Sequence, residues 1–172
     1  MGTELSFNLI RDVKVVHYTS STAPSFAVVF SGIAKSGEVG AFGEIVQCDS
    51  SGNVVASRPE LLVPYAVTAY EEANASGLSV AESRGNVYLV YKGATNNTWY
   101  LPALYKVDST VRGVLWTGKA APSAPFNVSS AVNSPRFDAP TVVCDQSNCL
   151  ALWAELQLTI PALLGSYFKV GT

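Results

Sequence analysis

The sequence predicts an all-β chain built from three similar antiparallel units, and three observations lead there. The stretch Phe137–Trp153 (FDAPTVVCDQSNCLALW) reads as an apolar strand, a tight polar connection and a second apolar strand. The same plan recurs at Ala75–Tyr91 (ASGLSVAESRGNVYLVY) and, more loosely, in the stretch that ends in Ser25–Phe30 (SFAVVF). The apolar runs are also short and rich in Val, Phe and Tyr, which suits extended chain better than helix. Lastly, no stretch sustains a helical period; Pro64–Ala75 comes nearest and reads as a loop.

Each unit divides into short strands, a to d in order. Strand a is Val13–Tyr18, then Leu78–Glu82, then Pro140–Cys144; strand b is Phe26–Phe30, Val87–Tyr91 and Cys149–Trp153. The b runs are apolar on both faces, the pattern of a sheet stacked between two others. Strand c is placed at Phe42–Cys48, Leu101–Val107 and Ser166–Val170, where Val46-Gln47-Cys48, Tyr105-Lys106-Val107 and Phe168-Lys169-Val170 stand in register. Turn residues punctuate the connections: Asp49-Ser-Ser-Gly52-Asn53, Arg84-Gly85-Asn86 and Gly93–Asn97. Strand d of the second unit is Pro125–Val128, and Ser6-Phe7-Asn8-Leu9 resembles it at the head of the chain. The order expected is therefore d-abcd-abcd-abc, with the N-terminal strand (residues 4–9) completing the third unit. One repeat domain spans residues 1–172, with units near 13–64, 75–129 and 137–172.

Four-stranded antiparallel units of about 60 residues, apolar in their inner strands, resemble β-propeller blades. The run Pro140-Thr-Val-Val-Cys-Asp…Asn148-Cys-Leu-Ala-Leu-Trp153 is similar to the strand a–turn–strand b signature of secreted propeller repeats, and the offset first strand to their ring-closing strand. The resemblance implies three propeller-like blades. Propellers close with roughly four to eight, so the ring is expected to be completed by a second copy or a partner.

Composition narrows the functional classes. Charged residues make up only 14% of the chain, against the usual quarter or so, and the formal net charge is −2. That balance leaves no electrostatic footprint for nucleic acid, and no apolar run is long enough for a helical membrane span. The first residues lack the layout of a secretory signal. The sequons at Asn74, Asn96 and Asn127 and the low charge nevertheless suggest a secreted or cell-surface glycoprotein. Cys144 and Cys149 flank the Asp145–Asn148 connection, where a hairpin would bring them within bridging distance, so a disulfide is expected there. Cys48 is left over.

No convergent catalytic set stands out. His17 lies in a strand, and Glu71-Glu72 would point to opposite faces if extended. Asp49, Asp108, Asp138 and Asp145 are scattered, as residues that cap turns usually are. The sialidase Ser-x-Asp-x-Gly-x-x-Trp box, glycine-rich phosphate loops and Cys/His clusters are all absent. Neither a cofactor nor a metal is expected. Trp99, Tyr100 and Trp116 are candidates for stacking on sugars between blades, the alternative being that the tryptophans seal the seams between sheets. The apolar segment Leu156–Leu164, with Leu156, Leu158, Ile160, Leu163 and Leu164, reads as a loop and an interface candidate. The reading is a non-catalytic interaction or structural module, a homo-oligomer or partner-completed ring. A glycan-binding lectin is the first alternative and a segment of a propeller hydrolase the second.

Overall fold

The computed structural model describes residues 6–19, 23–56, 58–64, 77–94, 109–129, 140–157 and 160–169. Among them no helix occurs, and all strand pairing is antiparallel, in three separate sheets.

The first sheet is a meander of β1 (Phe7–His17), β2 (Ser25–Ala34) and β3 (Val39–Cys48), whose far edge is shared by β4 (Val54–Ala56) and β5 (Glu60–Pro64). Both short strands pair with β3: Val46–Cys48 faces β4, and Gly40–Gly43 faces β5. Pro59, which has no N–H to donate, lies in the break between them. β1 is bent by a bulge at Asp12, which adopts φ 52° while the register slips between Arg11 and Lys14.

The second sheet runs β6 (Ser79–Ser83), β7 (Asn86–Ala94), β8 (Ser109–Trp116) and β9 (Phe126–Asn127). β7 is its spine: Val87, Tyr88, Leu89, Val90 and Tyr91 are all buried, as a strand covered on both faces requires. The third sheet comprises β10 (Thr141–Cys144), β11 (Asn148–Gln157) and β12 (Ile160–Lys169). The hairpin turn into β11 is clamped by a Cys144–Cys149 disulfide across directly paired positions.

The sheets stack in chain order, with β6 beside β1 and β10 beside β6. One core lies between the first two sheets and holds Val29, Ala41, Leu62, Leu89, Val114 and Trp116. A second lies between the last two and holds Ala81, Tyr88, Val90, Cys149, Ala151 and Trp153. The described sheets do not close a ring.

Three expectations are corrected. The N-terminal strand does not complete the third unit: Phe7 pairs with Ala34, packs its ring on Phe30 and Phe42, and continues without a break into the strand a expected at Val13–Tyr18. In the second sheet the third strand is Ser109–Trp116; Leu101–Val107, where it was expected, lies outside the described residues. The segment Leu156–Leu164 supplies the arms of the β11–β12 hairpin, with Leu156 paired to Pro161 and Gln157 to Ile160. Strand d at Phe126–Asn127 is where the sequence puts it.

Candidate functional site

Cross-strand partners share one side of a sheet, so the register divides each sheet into two faces. Val29, Val90 and Leu152 occupy the same position on the middle strands β2, β7 and β11, and each faces onward along the stack. Their partners on the following strand are Gly43, Gly113 and Gly165. At the first seam the missing side chain makes room for an aromatic ring. A Cβ on Gly43 would lie 2.8 Å from Trp116 of the next sheet and 2.8 Å from Leu62. Trp116 is only 2% exposed, and its Nε1–H donates to Glu60 Oε2 at 2.9 Å. At the second seam Phe126 covers Gly113 and meets Phe168 of the third sheet, with ring centroids 5.7 Å apart.

Polar staples accompany the packing. The N–H groups of Gly77 and Leu78, leading into β6, donate to Asp12 Oδ2 at 3.0 and 2.9 Å. One sheet further on, the N–H of Val142 in β10 donates to Ser79 Oγ at 2.9 Å. Each seam thus offers a side-chain oxygen to the first strand of the following sheet, whose edge N–H groups would otherwise lack partners. Burial alone would raise the pKa of Asp12, but the donors from Leu78, Gly77 and Lys14 outweigh it and hold the carboxyl below its ordinary value. Near the turns, Thr19 Oγ1 donates to Glu82 Oε1 and accepts from the N–H of Gly85, and Tyr18 donates its hydroxyl hydrogen to the carbonyl of Thr117.

The two ends of the stack are uncovered by any described sheet. On the first sheet, alternation turns Val15, Phe26, Val28, Phe30, Phe42 and Val46 outward, with Glu44 among them. Phe7, Phe30 and Phe42 pack together there as a small cluster, while Val15 remains 58% exposed. Burial in this apolar setting raises the pKa of Glu44. On the third sheet the outward set is Thr141, Val143, Leu150, Leu152, Leu163, Gly165 and Tyr167, edged by Lys169. Leu163 and Tyr167 are each 73% exposed. These two apolar faces are the candidate site.

The sequence candidates fall differently. Leu163 stands on the outer face of the third sheet, whereas Leu164 turns inward to the second core. Leu156 and Ile160 lie in β11 and β12, and Leu158 is outside the described residues. Trp116 seals the first seam and presents no face to a sugar. Trp99, Tyr100, Asn74, Asn96, Glu71, Glu72, Asp108 and Asp138 lie outside the described residues. Asn127 is exposed on β9, His17 sets its ring edge-on to Phe26, and Cys48 is a free, half-buried thiol.

Asp49 and Asp145 cap their turns as expected. Asp49 Oδ1 accepts the N–H groups of Ser51 and Asn53, and Asp145 Oδ1 those of Ser147 and Asn148. Sequence reasoning missed the seam glycines and the oxygens of Asp12 and Ser79. The signal was present in Phe42-Gly43-Glu44, Arg112-Gly113-Val114 and Leu164-Gly165-Ser166, but connections of unequal length put these triplets out of phase with the strand b repeat. The chain matches no family model, no curated protein and no solved structure.

Proposed function

We propose that this chain is a non-catalytic interaction and structural module, a stack of propeller-like blades that works by presenting its two end faces. One observation carries this reading. Both end faces are apolar and are built from the same register positions that form the buried seams inside the stack, yet the third sheet's face stays open at Val143, Leu163 and Tyr167, and the first sheet's at Val15 and Phe26 beside the buried pair Phe30 and Phe42. Contiguous apolar surface of that kind marks a contact site. The disulfide across paired strands supports work in an oxidising compartment, outside the cytosol.

The test offers the chain a panel of chromogenic glycosides, esters and phosphomonoesters together with a glycan array. Neither turnover nor dose-dependent glycan binding is expected. Steady turnover that co-purifies with the chain overturns the reading in favour of an enzyme. Glycan binding abolished by Trp99→Ala replaces it with a lectin.

A further inference from the structure

We infer that a second copy of this chain docks head to tail, the outer face of its first sheet seated on the outer face of the third sheet, as one more seam of the same construction. The inference rests on the interaction-module reading and names the partner. It stands on the repetition of two devices along the stack.

The first device is the glycine seat. Gly43 receives Trp116 from the next sheet, and the space over Gly113 is filled by Phe126, itself packed on Phe168. Gly165 holds the same position opposite Leu152, but the atoms nearest its would-be Cβ, at 2.7, 3.2 and 3.7 Å, all belong to Leu152, Ala151 and Leu150 of its own sheet. As at Gly113, those atoms belong to the glycine's own sheet, but here no aromatic ring is among them and Gly165 itself is exposed. The second device is the polar staple. Thr141 pairs with Leu152 as Ser79 pairs with Val90, so its hydroxyl stands where Ser79 takes the N–H of Val142 one sheet earlier.

The opposite end carries the matching part. In the second and third sheets the aromatic that enters a seam belongs to the pairs Val87–Trp116 and Cys149–Phe168. The equivalent pair in the first sheet is Phe26–Val46, with the ring carried on β2 and 37% exposed. The charges also agree: Glu44 lies within the first sheet's outer face and Lys169 at the margin of the third's. The only described surface that repeats the side each seam receives is the first sheet of another copy. Two copies that make both contacts yield six stacked sheets, within the range at which such stacks close.

Sedimentation velocity and native mass spectrometry of the chain, at concentrations from nanomolar to high micromolar, test this. A dimer is expected. Phe26→Asp on one face and Tyr167→Asp on the other should each weaken dimerisation by about tenfold or more. An equimolar mixture of the two variants should recover a heterodimer, because one contact then joins two intact faces. If Phe26→Asp does not fold, Val15→Asp replaces it. A wild-type chain that stays monomeric overturns the inference and leaves the interaction-module reading to a different partner. A dimer lost in only one of the two variants, or in neither, also overturns it, because a head-to-tail contact uses both faces.

Discussion

At the scale of single residues, Trp116 and Asp12 show how two sheets become one body. The indole of Trp116 fills the space above Gly43 and finds an acceptor in Glu60, so both its apolar area and its N–H are satisfied. Trp116→Ala should cost about 3–5 kcal/mol in urea unfolding. Trp116→Phe should cost less, keeping most of the packing but losing the Glu60 hydrogen bond. Asp12 makes a pH-dependent contribution. Its carboxyl titrates below the ordinary value of 3.8 because the donors from Leu78, Gly77 and Lys14 outweigh the burial that would raise it. A lowered carboxylate stabilises the fold above the unfolded value, and that contribution disappears as pH falls through the folded one. Asp12→Asn should therefore lose about 1 kcal/mol near neutral pH. The gap from wild type should close on acidification below 3.8, as urea midpoints measured across that range would reveal.

At the scale of elements, the hairpins differ in how they are held. The β6–β7 hairpin turns on Arg84 and Gly85, both with positive φ (53° and 77°), the two-residue turn whose handedness matches strand twist. Arginine is a poor occupant of that conformation, so Arg84→Asn should raise stability by roughly 0.5–1 kcal/mol in the same assay. The β10–β11 hairpin relies on Asp145 and on the disulfide. The Cys144→Ala, Cys149→Ala double variant should cost about 2 kcal/mol, the modest figure proper to a short closed loop. This scale also shows what could be read from the sequence. Phe26–Phe30, Val87–Tyr91 and Cys149–Trp153 were legible because strands inside a stack are apolar on both faces. The third strand of the second sheet was not. Its apolar positions Val111, Val114 and Trp116 are interrupted by Arg112 and Gly113, whereas Leu101–Val107 shows a cleaner alternation. Phe7 misled through likeness: Ser6-Phe7-Asn8-Leu9 and Pro125-Phe126-Asn127-Val128 look alike, but pairing follows chain proximity, and β2 lies nearer than any strand of the third sheet. The outer face of the third sheet was half legible. Leu163 was picked out by its apolar run, while Thr141 and Gly165 have meaning only once the register is known.

On the scale of the whole molecule, the described sheets stack in chain order and leave two unlike ends. If the ends join between copies, the thermal midpoint should rise with protein concentration, because association favours the folded state, and Phe26→Asp should abolish that rise in a dilution series followed by circular dichroism. The strictly sequential order of the sheets also bears on how the protein is made. Every strand of the first sheet is translated before the second begins, so that sheet can pair fully at the ribosome while the groove above Gly43 waits for an indole synthesised about 70 residues later. At about 5–20 residues per second the wait lasts roughly 4 to 15 seconds. During that interval the nascent chain carries a bare apolar wall, the time at which a chaperone would be of most use to it.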